Sequence, residues 1–540
     1  MPVSERIVLV GYGPVGARFV EELLPLVRDG RASLTVVGAE AADSYNRVLI
    51  AEYAVGHADR ADLEITDTAH AVEAGVRILT GTSVTAINRS RRTVSLGTGE
   101  QLPFDRLVLA TGARANVPTL DGVKRLRREL MMPATDAATL DSADAPLPRG
   151  VTALRDLDDA HTVLEAVKAA KRIVVLGAGV LGMEIALAAA NAGSEACVVY
   201  HGEIPMGRNL DRGGGSVLAR SARRAGVTMI NHSRAESLLF HLDDDGVQRF
   251  DALVCADGKQ IHGDLLLLSC GVGARKELAH LAGLMVSTGV LVDEDLRSWS
   301  DPDIYAIGDC AHVAPKPAAG ASSALPSGGP SGLVGPGWRQ ADWLAARFTA
   351  EVRGSGPGAD LAPHRAAVVM LKAEGIDVVA AGDTAPDPWD ADETHDHANG
   401  CASAPLSVSQ WADPEHGRYV KMVTRGGILE GFVCVGMPRT AAELTLLFER
   451  GSELPADRSV LLRFDGPDYV PSAGGDAFAP DATVCWCNGV TVGAITESAG
   501  AGNSTIACIG AATRAGTGCG GCKGRIGEVL ERLATAATPQ

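Results

Sequence analysis

The chain has few aromatic residues and little positive charge. Aromatics make up 4% of its 540 residues, while 63 residues are glycine. This composition excludes a core built of stacked rings and suits layers in which small side chains let helix and strand approach closely. Lysine and arginine number 49 against 66 aspartates and glutamates, and the formal charge is −17. Nucleic acid and anionic membrane are thereby excluded as partners, because both repel an acidic protein. An uninterrupted hydrophobic span is missing too: the longest apolar run, residues 173–190, contains a glycine turn and Glu184, and reads as strand, turn and helix. A leader peptide is not expected, since the first strand pattern begins at Ile7. Without an export signal, the 11 cysteines read as cytoplasmic thiols and metal ligands. Hydrophobic residues, at 46%, provide cores for roughly three or four domains of about 150 residues each.

Ile7 to Val10 predict a buried parallel strand, and Gly11-Tyr12-Gly13-Pro14-Val15-Gly16 a turn into an amphipathic helix. Each glycine has a steric reason. Gly11 permits the tight turn, Gly13 lets a pyrophosphate approach the backbone, and Gly16 lets the helix pack on the strand. Phosphates at the helix start meet unpaired N–H groups and the positive end of the helix dipole. The next strand, Ser33 to Val37, leads to Glu40, placed to take a ribose hydroxyl pair. Arg47, in a polar turn, is a candidate for the dinucleotide phosphates, the alternative being an ordinary surface arginine. No cysteine stands near this region, which argues against a disulfide or peroxide reductase working through a thiolate on a flavin.

Phe104 to Ala113 predict a further buried strand ending in Ala-Thr111-Gly112-Ala, where backbone can press against a cofactor. A second glycine fingerprint follows, Gly177-Ala-Gly179-Val-Leu-Gly182, again between strand and helix, so the chain contains an internal repeat. The acid that an NAD-specific site carries after its second strand would fall at Tyr200, with His201 and Arg208 close by, which leaves NADH and NADPH both open. Further on, Ile304 to Ala311 deliver Gly308-Asp309, a carboxylate suited to a ribityl hydroxyl. The first dinucleotide site is thus expected from three separated segments, near residues 11, 111 and 308, with the second unit inserted between them. Residues 384–404, rich in Asp, Glu and His, read as a solvated acidic loop before a metal site.

The last sixty residues hold Cys485-Trp-Cys487 and Cys519-Gly-Gly-Cys522, two thiol pairs that can each chelate one side of a metal centre. By spacing alone, tetrahedral zinc suits them as well as an iron–sulfur cluster. Cys508 has no place in the pattern, and the other six cysteines read as buried small hydrophobes.

Over residues 1–345, the set GYGPVG, ATGA, GAGVLGME and AIGDCA resembles the flavoprotein reductases with two dinucleotide-binding domains. The resemblance implies FAD in the first unit, NAD(P)H in the second, and Glu184 beside the nicotinamide as the catalytic residue; a glutamate pairing locally on its helix is the alternative. CWCNGVT and TRAGTGCGGC resemble the [2Fe–2S] domains of the bacterioferritin-associated ferredoxin type, which implies Cys485, Cys487, Cys519 and Cys522 as iron ligands. The expected fold is therefore α/β: two Rossmann-like dinucleotide-binding domains, the NAD(P) unit inserted in the FAD unit, then a small α+β domain and a small helical [2Fe–2S] domain. Its boundaries are expected at 1–150 and 276–350 for FAD, 151–275 for NAD(P), 360–465 for the α+β domain and 482–535 for the cluster.

This order resembles the N-terminal part of the large subunit of assimilatory NAD(P)H nitrite reductases, and the electron-transfer subunit of assimilatory nitrate reductases. The nitrite enzymes continue into a sirohaem half, which is not expected after Gln540. The resemblance implies a cytoplasmic NAD(P)H oxidoreductase passing electrons through its cluster to a nitrate, or nitrite, reductase catalytic subunit. A general ferredoxin or rubredoxin reductase is one alternative. A module docking on an iron-storage protein for iron release is another, and a regulatory protein with a zinc domain a third.

Overall fold

The structure is a computed structural model, and it describes residues 4–123, 146–317, 326, 328–356, 360–361, 368–373, 375–388, 406–465, 478–480, 482–485, 488–518 and 520–536. Runs of apolar residues become the buried strands of two sheets, the second parallel and the larger mainly so. In the larger, Glu5–Val10 lies between Ala32–Val37 and Arg106–Leu109, with Ile7 opposite both Leu34 and Arg106. Asp301–Ala306 returns to pair in parallel with Arg106–Leu109, Ile304 opposite Leu107. In the second sheet, Ile173–Leu176 lies between Ala196–Val199 and Leu265–Leu268. Each sheet has an antiparallel three-stranded companion, residues 84–103 in the first unit and 235–262 in the second. The chain leaves one unit and re-enters it through an antiparallel ribbon of Ala113–Ala115 and Val272–Ala274. That return makes the architecture α/β with one Rossmann-like unit inserted in the other.

Three of the scarce aromatics meet where the returning segment closes the first unit. Helix Val334–Arg353 packs on helix Pro14–Arg28, with the Phe348 ring edge-on to Phe19 at 5.9 Å and to Tyr305 at 4.9 Å. The Arg106 guanidinium lies 4.3 Å from the centre of the Phe348 ring. Near its start this helix uses Gly337, where a Cβ would stand 2.6 Å from Val15 Cγ2, so it passes tight against the first glycine turn.

A third unit is a five-stranded antiparallel sheet of residues 369–382 and 406–435, covered by helix Pro438–Arg450. The last unit pairs Thr483–Cys485 with Val490–Thr491 and adds helices Val492–Gly500, Ile506–Thr513 and Lys523–Ala536 around Ile495, Ile509 and Ile526. Of the acidic stretch 384–404, residues 389–404 lie outside the described residues. No helix among the described residues is long and apolar enough to cross a membrane.

Phe348→Ala should destabilise the first unit by about 3–5 kcal/mol, since the ring is wholly buried and its neighbours belong to three different elements. Urea unfolding followed by far-ultraviolet circular dichroism checks this; an unchanged midpoint would mean that the returning helix does not hold the unit closed.

Candidate functional site

The two glycine turns share one geometry, and it assigns a different task to each glycine. Gly11 has φ +112°, and a Cβ there would stand 2.1 Å from the Ala110 carbonyl oxygen; at Gly16 it would stand 2.2 Å from the Gly11 carbonyl oxygen. Gly177 and Gly182 repeat this, at 2.2 Å from the Ser269 oxygen and 2.3 Å from the Gly177 oxygen. These outer glycines are required by the protein's own backbone. The middle ones are not: at Gly13 the nearest atom is Arg47 Nε at 4.0 Å, and at Gly179 nothing lies within 4 Å. Each middle glycine is the N-cap of its helix, Pro14–Arg28 or Val180–Asn191, and caps it with no side chain. Open space beside unpaired helix N–H groups is the cradle a pyrophosphate needs, so both turns fit a dinucleotide.

A cavity of 2530 Å³ brings together Gly11, Gly13, Glu40, Arg47, Thr111, Gly112, Gly308, Asp309 and Glu184. Of the second turn, Val180 and Glu184 reach this cavity, and its glycines do not line it. Glu40 accepts the Tyr45 hydroxyl at 2.8 Å and pairs with Arg47, which also donates to the Arg155 carbonyl at 2.7 Å. Thr111 donates its hydroxyl to the Arg275 carbonyl at 2.8 Å, and the Gly308 N–H donates to Gln340 at 2.7 Å.

Sequence reading missed Arg155. It follows strand Val151–Thr152, donates to the Ala113 carbonyl at 3.0 Å, and approaches Asp309 at 3.2 Å. Desolvation holds its guanidinium below the usual arginine range, against the pull of Asp309. A lone arginine before a helix carries no sequence signal of this role; its partners lie 42 and 154 positions away.

The Tyr200 expectation needs correction. Gly177 N–H donates to the Val199 carbonyl just as Gly11 N–H donates to Val37, so the counterpart of Glu40 is Gly202. Tyr200 is buried in the core, and its hydroxyl has no partner among the described residues. The next acid, Glu203, is exposed and tied to Arg212 at 2.7 Å.

In the last unit Cys485 and Cys522 are both buried and adjacent, while Cys487 and Cys519 lie outside the described residues. The Cys522 thiol and the N–H groups of Gly516 and Asn488 hold the Cys485 thiol well below the usual thiol range. The Asn488 side-chain amide also stands 3.8 Å from the Cys485 sulfur. Donors converging on sulfur stabilise a thiolate and its metal centre, so this end of the set fits a negatively charged cluster. Gly521 and Cys522 line the same cavity as Gly13 and Asp309. Burial pushes the thiols of Cys310 and Cys434 up instead, and Cys310 donates to the Leu109 carbonyl at 3.2 Å.

The glycine geometry predicts a split between folding and cofactor retention. Gly13→Asp retains an accepted N-cap residue, and its flavin-free form should unfold at the wild-type midpoint. Its carboxylate occupies the phosphate position, so flavin absorbance per chain should be lost. Gly11→Ala should lower the midpoint of the flavin-free protein, its strained backbone alone costing about 1–2 kcal/mol. Full flavin content in the Gly13 variant would remove this turn as the cradle.

Residues 5–324 match the pyridine nucleotide-disulphide oxidoreductase family, and residues 483–532 match the BFD-like [2Fe-2S] binding domain. The chain is 28% identical over 98% of its length to a nitrite reductase [NAD(P)H] of Bacillus subtilis, covering 58% of that protein. It is 25% identical over 98% of its length to the assimilatory nitrate reductase electron transfer subunit of the same organism, covering 60%. Among solved structures, a ferredoxin reductase from Rhodopseudomonas palustris superposes with a TM-score of 0.64 at 22% identity, over 86% of this chain and 98% of that one. The chain thus spans little more than half the length of the curated relatives it matches. Two repeated glycine cradles, a chain that leaves the first unit and returns to it, and a family match across both identify the chain as a member of the pyridine nucleotide-disulphide oxidoreductases, with FAD and NAD(P)H as cofactors and a C-terminal [2Fe–2S] domain.

Proposed function

We propose that this protein is an FAD-dependent NAD(P)H oxidoreductase that passes electrons through its C-terminal cluster to the catalytic partner of an assimilatory nitrate reductase. One observation carries the reading: a single cavity is lined both by the first glycine turn and Asp309 and by Gly521 and Cys522. When bound, FAD accepts the hydride of a nicotinamide coenzyme as an electron pair and gives electrons up singly, and a [2Fe–2S] cluster carries them one at a time.

The chain's own residues bind, orient and exclude. Gly13 and the helix behind it receive the FAD pyrophosphate, Glu40 the ribose hydroxyls, and Asp309, steadied by Arg155, the ribityl chain. Thr111 and Gly112 bring backbone against the ring system. Gly179 receives the pyrophosphate of the nicotinamide coenzyme, and Glu184, on the cavity wall, orients its nicotinamide. Hydride transfer draws on this positioning and on no side-chain acid. No thiol stands on the helix after Arg47, so the disulfide chemistry in the family's name has no residue here to carry it. Cys485, Cys487, Cys519 and Cys522 hold the cluster.

A nitrate reductase catalytic subunit is the favoured acceptor because one relative that matches nearly the whole chain is named an electron transfer subunit; a nitrite reductase, which matches over the same share at 28% against 25% identity, supports a nitrite reductase as the second reading. None of the eight cysteines among the described residues forms a disulfide, in keeping with a cytoplasmic site.

Cys522→Ser and Cys519→Ser each remove one proposed iron ligand from the full chain and leave the nucleotide units intact. Both should keep ferricyanide reduction by NAD(P)H and lose the iron–sulfur signal on reduction. Both should also lose delivery to purified nitrate reductase catalytic subunit. Delivery at the wild-type rate by either variant would take the cluster off the path and reopen zinc as its metal.

A further inference from the structure

We infer that Asn46 docks the cysteine loop of the last unit on the flavin unit, with Arg514 as a second clamp, so that electrons cross at one fixed seam; this rests on the function proposed above. Asn46 is 1% exposed, although it lies in a polar turn that would otherwise face water. Its side-chain amide donates to the Thr517 carbonyl at 2.9 Å and to the Gly518 carbonyl, 471 and 472 positions away. Its Oδ1 accepts the Val48 N–H at 3.0 Å, capping the short turn Arg47–Leu49. One face of the residue therefore shapes the Arg47 segment at the cavity, and the other holds the distant loop.

Gly520 lies close to the same seam: a Cβ there would stand 3.8 Å from Cδ2 of Leu49, the last residue of the capped turn. Positions 518 and 520 flank position 519 in the sequence, one of the four proposed iron ligands. Arg514 ends helix Ile506–Thr513 in the left-handed conformation, φ +65°. Its guanidinium reaches Glu22 at 3.0 Å and Glu21 at 3.2 Å, both on the helix that follows the first glycine turn. Its carbonyl accepts the Asn488 amide and the Thr517 hydroxyl, each at 2.8 Å, which ties the clamp to the loop around Cys485.

The loop is thus held from two sides of the flavin unit. The Arg514 pair is about one-third exposed and screened by solvent, whereas the amide bonds of Asn46 are buried, so Asn46 is the stronger of the two holds. Each NAD(P)H gives up two electrons and a proton on becoming NAD(P)+. The seam serves two successive one-electron passages, and two equivalents of a one-electron acceptor take the electrons on.

Asn46→Asp separates docking from capping. Aspartate caps the Arg47 turn as well as asparagine does, but it has no donors and turns a carboxylate toward two carbonyls. In full-length holoprotein mixed rapidly with NADPH or NADH, flavin bleaching should proceed at the wild-type rate. Cluster reduction should slow by roughly tenfold or more, the worth of losing two buried hydrogen bonds. Amide hydrogen exchange at residues 514–518 should quicken by a similar factor, a readout independent of turnover. Arg514→Glu, a surface change, should move both readouts in the same direction by less, and Glu22→Arg in that background should restore them. If Asn46 only caps, Asn46→Asp will match the wild type in cluster reduction and exchange while Asn46→Ala is impaired, and the dock is overturned. Should Asn46→Asp lose its flavin, failure of Glu22→Arg to rescue Arg514→Glu would overturn it instead. Continued delivery by Cys519→Ser, measured in parallel, would sink the proposed electron path and not the dock.

Discussion

Backbone-on-backbone approach at the end of a central strand is the constraint on which the rest of this structure depends. In both nucleotide units the chain must turn from strand to helix directly over the end of the neighbouring strand. The carbonyl of Ala110 in one unit and of Ser269 in the other fills the space a side chain would take. Only glycine satisfies that contact, and satisfying it puts the helix start at the sheet's edge with its N–H groups unpaired. Everything that surrounds the cavity follows from this placement. Asp309 arrives because strand Asp301–Ala306 pairs beside Arg106–Leu109 and ends at the same edge, and Arg155 arrives because the second unit begins there.

Close approach also fixes the third unit. Helix Arg212–Arg224 starts with Gly213-Gly214-Gly215, where added Cβ atoms would meet the Tyr419 ring at 2.6 Å, Val433 at 2.7 Å and Ile204 at 2.6 Å. Over this bare stretch Tyr419 donates its hydroxyl to Asp211 at 2.5 Å. Lys421, its side chain 3% exposed, lies 3.4 Å from the same carboxylate and donates to the Thr384 carbonyl at 2.9 Å. A buried lysine is tolerated only with such partners, so this network specifies where the sheet sits more than it adds stability.

The cysteine unit is attached differently, by polar contacts from Asn46 and by a pair of acids, about one-third exposed, around Arg514. Its own core is centred on Ile495, Ile509 and Ile526, and the N–H groups of Gly516 and Asn488 point at the Cys485 sulfur.

Sequence alone determined the parts of the protein in which neighbouring residues carry the physics. A four-residue apolar run, glycines at fixed offsets and a helix start form a local pattern, so the two turns and the strand ends at Thr111 and Asp309 were legible. Repetition of the pattern made the inserted architecture legible too. What depends on distant partners was not. Arg155, the glycine stripe under Tyr419 and the two-sided role of Asn46 acquire meaning only when segments tens to hundreds of positions apart are packed together. Tyr200 shows the same limit from the other side: the strand's register, set by one hydrogen bond from Gly177, turns that residue into the core and moves the acid's position to Gly202. Periodicity predicts that a strand exists; where the chain beyond its end at Val199 meets the glycine turn is decided by tertiary packing, because that hydrogen bond joins segments more than twenty positions apart.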